Sequence, residues 1–287
     1  MTLRSILVPV RGDGLGEGVL NHALVLARRS DAHLDVVHCR PRPEDLLPYG
    51  VYVPTSLKNE ITASAGGLAD AEEERLRAFF DDYCQRHQLT VVEGRPWPVG
   101  QVSLSWREET GKQASIVGRL GRLVDLIAVA RPDHRRNLGL NTLEAALLET
   151  GKAVLMCPPV PVSSVGSHVA VAWNGSTEAA RAITAAMAVL TGADRVSVIS
   201  VGTPANEPLG AEALSDYLGD HEIRTQILTP SAKSTAVGQA LLDAAAEAGA
   251  DLLLMGAYGQ SRWRELVLGG VTQFVTEHSE LPVLLCH

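Results

Sequence analysis

Short apolar runs alternate with segments of helical periodicity along most of the chain. Residues 6–10 and 34–39 are apolar runs of the length of buried strands, and apolar side chains recur three and four positions apart between them, from Val19 to Ala27. This alternation continues to the end of the sequence. It predicts further strands at residues 102–106, 125–130, 153–157, 168–173, 196–201, 223–228, 252–255 and 282–286. Alternating strands and helices with short connections favour right-handed crossovers and a mostly parallel α/β sheet.

The same pattern occurs twice. Residues 124–129 correspond to residues 250–255, and residues 153–157 correspond to residues 282–286. Between the two copies lies a segment with three prolines, residues 158–166, which predicts a linker because proline cannot continue a helix or a central strand. We therefore predict two tandem doubly wound parallel-sheet domains, at residues 1–160 and 167–287.

One insertion interrupts the first copy. Residues 43–67 show no clear strand or helix pattern, so we predict a long irregular excursion there. Loops of this length are uncommon and often act as lids or binding segments.

The net charge and composition of the chain limit the kinds of molecule that it is expected to bind. The net charge of −8 and the pI near 5.6 argue against nucleic acid or an anionic membrane as the main partner. No apolar segment approaches the ~20 residues that span a bilayer, and the first residues lack the apolar core of a signal peptide. We expect a cytoplasmic protein. Its four cysteines are far apart and its histidines lack metal-ligand spacing, so we expect reduced, mostly buried thiols and no structural metal site.

The most informative chemistry is a glycine pattern near the end of the sequence. An apolar strand stops at Gly256, Gly259 follows, and after a polar segment Gly269 and Gly270 open a helical pattern that begins at about Val271. A helix start beside the carboxyl end of a parallel strand offers unpaired backbone N–H groups and a favourable dipole to an anion.

These glycines resemble the signature of the universal stress protein family, which is G-x2-G-x9-G followed by Ser or Thr. Residues 169–176 and residues 6–10 are similar to the family's opening strand. The resemblance covers nearly the whole chain as two tandem copies. It implies five-stranded, adenine nucleotide α-hydrolase-like domains packed as a pseudo-dimer, with residues 153–157 paired to residues 282–286. It also implies ATP binding in some members.

The resemblance assigns roles to particular residues of the second copy. The glycine loop would hold the phosphates, the residue after the first strand would meet the nucleotide, and the end of the second strand would meet the adenine. The implied site comprises Asn174, Val201, Gly256, Gly259, Gly269, Gly270 and Val271. Gly270 stands where the family has Ser or Thr, and Asn174 stands where it has an acid, so the site is compromised.

The first copy departs further from the signature. Ala130 and Asp133 replace the two leading glycines, and Arg11 occupies the acidic position. We expect this half to have lost the nucleotide site and to serve as scaffold or partner surface. The basic residues Arg131, His134, Arg135 and Arg136 form either an alternative anion site or a solvated cluster.

The sequence contains no P-loop, GxSxG or HExxH motif, and the glycines of residues 12–18 lack dinucleotide-fingerprint spacing. The leading hypothesis is a non-catalytic stress-response module, with ATP and magnesium as candidate cofactors in the second domain. One alternative is a nucleotide-independent interaction module that works through an unknown protein partner or a homodimer. The other is a small-molecule binder with residues 43–67 as its lid.

Overall fold

The computed structural model describes residues 2–42, 55–133, 136, 138–202, 209–231, 236–257 and 270–287. Its first half alternates strands and helices in the predicted order. The elements are β1 (Ser5–Val10), α1 (Gly16–Arg28), β2 (His33–Arg40), α2 (Thr55–Arg86), β3 (Thr90–Val91), β4 (Ser103–Thr110), α3 (Gln113–Leu120), a 3-10 turn (Gly121–Leu123), β5 (Leu126–Ala130), α4 (Leu140–Glu149) and β6 (Ala153–Cys157).

The second half repeats this order. Its elements are β7 (His168–Ala172), α5 (Thr177–Leu190), β8 (Arg195–Ile199), α6 (Ala211–Gly219), β9 (Thr225–Leu228), α7 (Val237–Glu247), β10 (Leu252–Gly256), α8 (Gly270–His278) and β11 (Val283–Cys286). The helices form in segments where apolar side chains recur at helical spacing after a residue that favours a helix start. In α5, Ser176 Oγ accepts a hydrogen bond from the backbone N–H of Ala179 and so caps the start of the helix.

The strands of the described residues form one sheet in the order β3-β4-β2-β1-β5-β6-β11-β10-β7-β8-β9. Within each half all strand pairs are parallel, and the orders β4-β2-β1-β5-β6 and β9-β8-β7-β10-β11 are the same. The halves meet where β6 pairs antiparallel with β11, with Leu155 opposite Leu284. This is the pairing that the tandem resemblance implies, and it gives each sheet edge a partner at the junction.

Two predictions for the first half are wrong in detail. Residues 43–67 were expected to be irregular, but residues 55–67 belong to α2, and residues 43–54 lie outside the described part of the chain. Few apolar residues define a face in this part of α2, so periodicity did not reveal it. The first half also has a sixth strand, β3, which at two residues is too short to show an alternating pattern.

Helices cover both faces of the sheet. Residues of α1, α2, α5 and α6 share one buried cluster with one face, and residues of α3, α4, α7 and α8 share a second cluster with the other. The predicted linker is packed, since Val165 is fully buried in the first cluster. The halves are also tied by Arg29, which donates to Ser167 Oγ and to the Gly192 carbonyl oxygen, both at 2.6 Å.

The cysteines agree with expectation, because all four are buried and free. Among the described residues, no helix is both long enough and apolar enough to cross a membrane.

Candidate functional site

A cleft of about 710 Å³ opens at the carboxyl ends of β7 and β10. The described residues that line it include five of the seven predicted site residues, namely Asn174, Val201, Gly256, Gly270 and Val271. The other two, Gly259 and Gly269, lie outside the described residues. The predicted residues come from three strand ends and one helix start, and the fold brings them to one place.

The turn after β7 is shaped by its own side chains. Asn174 Oδ1 accepts a hydrogen bond from the backbone N–H of Ser176 at 3.1 Å, and Gly175 has a φ of 71°, a conformation that favours glycine. Asn174 therefore fixes the turn that leads into α5, and its amide group remains at the rim of the cleft, since the residue is exposed.

Trp173 is a member of the cleft that sequence reasoning did not single out. Its indole Nε1 donates to the carbonyl oxygens of Leu209 and Gly210, at 2.8 and 3.1 Å. Because Gly210 precedes α6, these bonds tie the end of β7 to the start of that helix. The ring forms a rigid wall between the two elements.

Gly256 is required by close packing. A Cβ at this position would lie 2.6 Å from the carbonyl carbon of Glu178 and 2.7 Å from the backbone nitrogen of Ala179. The last residue of β10 therefore touches the backbone of the first turn of α5. This contact explains the glycine without any ligand and holds β10 against α5 beside the cleft.

Gly270 has the opposite environment. A Cβ there would meet no heavy atom of the described structure within 4 Å. Gly270 and Val271 are the first described residues of α8, and both line the cleft. The site therefore has room for the hydroxyl that Ser would supply.

Glu178 places a carboxylate in the cleft and was not predicted. Its Oε2 is buried and has no hydrogen-bond partner among the described residues. The pKa of Glu178 is lowered, first by the hydrogen bond from its own backbone N–H, with Thr177, Arg181 and Ser176 acting the same way and desolvation opposing them. The group is therefore an anion with one free oxygen. Its position in the first turn after the Ser176 cap was the available sequence signal.

Comparison with known proteins assigns a family to the second half of the chain. Residues 167–287 match the family model described as the universal stress protein family. Residues 167–287 are a universal stress protein domain. Membership of this family supports a role in stress response. No curated protein matches the chain.

Solved structures show how far the universal stress protein fold extends. A universal stress protein from Archaeoglobus fulgidus DSM 4304 superimposes with a TM-score of 0.65 at 16% identity, covering 98% of this chain and 97% of that one. A putative universal stress protein from Pseudomonas aeruginosa UCBPP-PA14 gives a TM-score of 0.55 at 18% identity, covering 99% of this chain and 93% of that one. At these identities the likeness concerns the fold, which spans both halves.

Among the described residues, the first half has a much smaller space at the position equivalent to the cleft. At the corresponding strand ends, Arg11, Asp13 and Gly139 line a space of only about 20 Å³. Arg11 Nε lies 3.2 Å from Asp13 Oδ2, and a Cβ on Gly139 would be 3.4 Å from Arg11 Nη2. The arginine at the acidic position thus fills the space together with its partner.

The predicted basic cluster is only partly described. Arg131 donates to the Ser279 carbonyl oxygen at 2.8 Å, and Arg136 Nε lies 3.6 Å from Asp133 Oδ2. His134 and Arg135 lie outside the described residues. Arg131 therefore joins the first half to the universal stress protein domain through the turn after α8.

Metal ligands are not clustered in the described part of the chain. No group of three or more His, Cys, Asp or Glu side chains there could hold a metal ion. Magnesium usually keeps several waters and binds through one or two carboxylates together with substrate phosphates. The free oxygen of Glu178 fits that mode of binding.

Proposed function

We propose that the universal stress protein domain binds ATP with magnesium in the cleft at the ends of β7 and β10. Occupancy of the cleft then changes the surface that the domain offers to a protein partner. The observation that carries the proposal is the convergence of Asn174, Val201, Gly256, Gly270 and Val271 on one cleft. Its volume of about 710 Å³ falls within the range of ordinary ligand pockets, ~300–1,000 Å³.

The two ends of the cleft suit the two ends of a nucleotide. Val201, just beyond the end of β8, offers main-chain polar groups at the side where the resemblance puts the adenine. The first described turn of α8 offers backbone N–H groups and the positive end of the helix to the phosphates. Asn174 supplies a neutral amide between them, in place of the family's acid.

Charge in the cleft favours a magnesium complex over the free nucleotide. The ionised Glu178 repels bare phosphates, and the described side chains that line the cleft include no Lys or Arg to offset it. Glu178 would hold a magnesium ion that arrives with the nucleotide, and the positive charge of that ion would offset this repulsion. When bound, the ion would also neutralise phosphate charge.

Isothermal titration calorimetry with ATP and magnesium tests the proposal. Gly270→Glu places a carboxylate at the start of α8 where no described atom obstructs it, so we expect it to weaken ATP binding at least about tenfold. The matched control is Gly219→Glu, at an exposed glycine in α6 with equally open surroundings and no part in the cleft. Absence of heat with wild type and with Gly270→Ser, or equal loss in both Glu variants, contradicts the proposal.

The small space at the equivalent position of the first half leads to a second proposal about nucleotide binding. Because Arg11, Asp13 and Gly139 leave only about 20 Å³, we propose that the first half takes no nucleotide and acts as scaffold or partner surface. The titration should then give one nucleotide per chain. A stoichiometry of two contradicts this assignment.

A further inference from the structure

A second large cavity lies at the junction of the two halves and is separate from the nucleotide cleft. It measures about 920 Å³, opens to solvent, and is lined by residues of α1, the ends of β5 and β6, the proline-rich linker and the last turn of α8. None of the residues assigned to the nucleotide site lines it. Its walls come from both halves, so it exists only in the assembled chain.

His22, which lines this cavity, has a buried ring nitrogen without a partner among the described residues. The side chain is fully buried. Its Nδ1 lies 2.7 Å from the Gly18 carbonyl oxygen, which can only accept, so Nδ1 carries the proton. Burial lowers the pKa of His22, and the Gly18 bond only partly opposes this. The ring is therefore neutral at neutral pH, and Nε2 keeps a lone pair that has no partner among the described residues.

The fold does not require a histidine at this position. The registers that pair Ile6 with Leu126 and Val169 with Leu252 make Ile6 and Val169 equivalent in the two halves. The buried positions of α1 and α5 follow the same offset, so Ala185 is the equivalent of His22. Ala185 lines a smaller cavity of about 420 Å³ at the other side of the junction. A buried polar group that the fold does not need, with an unpaired acceptor, calls for an explanation.

Two arginines line the junction cavity, and one of them, Arg136, lies 3.6 Å from Asp133 Oδ2 whereas the other, Arg131, has no carboxylate partner among the described residues. The described partner of Arg131 is the neutral Ser279 carbonyl oxygen. Three carboxylates line the cavity and each has a partner: Glu17 pairs with Arg86 at 3.0 Å, Asp133 lies 3.6 Å from Arg136, and Glu277 accepts from the Gln273 amide at 2.9 Å. The guanidinium of Arg131 therefore offers a positive charge and free N–H donors.

We propose that the junction cavity binds a small organic anion that carries a hydroxyl group. The hydroxyl donates to His22 Nε2, and the acidic group, a phosphate or a carboxylate, pairs with Arg131. Because both halves contribute to the cavity, such a ligand binds only when they are docked.

Two probes that differ in their hydroxyls test the proposal. Calorimetric titration compares sn-glycerol 3-phosphate with propyl phosphate, which keeps the phosphate and the three-carbon chain. We expect wild type to bind glycerol 3-phosphate about tenfold more tightly, because propyl phosphate leaves a buried acceptor unpaired. Binding should persist at saturating ATP, which separates this site from the nucleotide cleft and keeps the two proposals independently testable.

Variants locate the preference. His22→Leu should lose the discrimination between the two phosphates, whereas Arg131→Gln should weaken both. The matched control is His168→Leu, at a histidine that is also buried with one unpartnered nitrogen but lines none of the described cavities. It should leave the discrimination intact.

Three outcomes overturn the proposal. They are no binding of glycerol 3-phosphate at millimolar concentration, equal affinity of wild type for the two phosphates, and an unchanged preference in His22→Leu. The wild-type comparison requires no variant to fold. A further check on wild type follows the imidazole nitrogens by NMR, where glycerol 3-phosphate should shift one unprotonated histidine nitrogen and propyl phosphate should not.

Discussion

Asp125 and Asp251 make equivalent hydrogen bonds to the backbone in the two halves. Asp125 Oδ2 accepts from the backbone N–H groups of Arg4 and Ser5, at 2.8 and 3.0 Å, at the start of β1. Asp251 accepts from the N–H groups of Gly166, Ser167 and His168 at 2.9–3.1 Å, at the start of β7, and also from the Ser164 hydroxyl. Asp125 precedes β5 and holds the start of β1 beside it. Asp251 precedes β10 and holds the start of β7 beside it in the same way.

Removing these carboxylates should destabilise the chain unequally. We expect Asp251→Ala to lower the free energy of unfolding by about 2–3 kcal/mol, and Asp125→Ala by somewhat less because it strands fewer backbone donors. Urea unfolding measures both. Asp220→Ala, at an exposed aspartate after α6, is the control and should change stability by less than about 0.5 kcal/mol. A cost for Asp251→Ala no larger than for the control contradicts the interpretation.

Gly256 and Gly270 should respond differently to the same small change. Gly256→Ala forces a Cβ against the backbone of Glu178 and Ala179, so we expect a loss of about 1–3 kcal/mol in the free energy of unfolding. Gly270→Ala meets open space and should be neutral or slightly stabilising, because alanine favours the helix that starts there. Chemical denaturation of the two variants in parallel gives the answer. Equal effects contradict the packing role of Gly256.

Gly270→Ser should strengthen nucleotide binding. The position has room for the side chain, and a hydroxyl at the start of α8 supplies one more hydrogen bond to a phosphate. That bond is worth about 1 kcal/mol, or roughly fivefold in Kd. Calorimetry measures the change, with Gly270→Ala as the variant that occupies the same space without a hydroxyl. If both variants bind ATP alike, the phosphate does not lie at Gly270.

Glu178 should make ATP binding depend on magnesium. With EDTA present, wild type should bind ATP at least about tenfold more weakly, since a carboxylate then faces bare phosphates. Glu178→Gln should narrow that difference. Glu212→Gln, at an exposed glutamate in the first turn of α6, serves as the control and should leave it unchanged. If ATP binding by wild type, Glu178→Gln and Glu212→Gln depends equally on magnesium, Glu178 takes no part in the site.

His33 should make stability fall in mild acid. It is buried, its ring nitrogens lie 2.8 and 2.9 Å from Ser103 Oγ and Ser105 Oγ, and it stacks on Trp97. Burial, and secondarily Arg95, lowers its pKa from 6.5 to about 4. The unfolded chain therefore binds a proton between pH 6.5 and pH 4 that the folded chain refuses. The contribution is fully present above about pH 6.5 and is lost as pH falls towards 4.

The His33 contribution is measured by comparing variants. It amounts to at most about 2–3 kcal/mol. Urea unfolding at pH 7 and pH 4.5 should show a smaller drop in stability for His33→Gln than for wild type. His22 and His38 also have pKa values lowered by burial, so part of the acid sensitivity remains in the variant. His221→Gln, at an exposed histidine, should behave as wild type.

Much of this architecture could be read from the sequence because each strand is a compact apolar run. The predicted strands at residues 153–157 and 282–286 differ from β6 and β11 by at most one residue at an end, and the resemblance to the universal stress protein family implied their pairing. Residues 55–67 and β3 were missed for a physical reason. A helix with few apolar residues has no face to detect, and two residues have no period.

The site was harder to predict because its chemistry depends on distant contacts. Gly256 was assigned to the glycines that hold the phosphates, but the structure also requires a glycine there because the backbone of Glu178 packs against it in the folded chain. Glu178 belongs to none of the sequence motifs that were considered. His22 sits in an ordinary amphipathic pattern, and only the junction of the halves reveals its free nitrogen. The spacing of residues along the sequence predicts where helices and strands end, whereas only the folded structure shows which side chains are in contact.

The position of β11 has a consequence for biosynthesis. It lies between β6 and β10 near the middle of the sheet, although the whole second half separates it from β6 in the chain. While the ribosome is still translating that half, β6 has no partner for its outer edge. A nascent chain at this stage exposes an unsaturated strand, so pauses in translation before β11 emerges are the interval in which aggregation or chaperone capture competes with completion of the sheet.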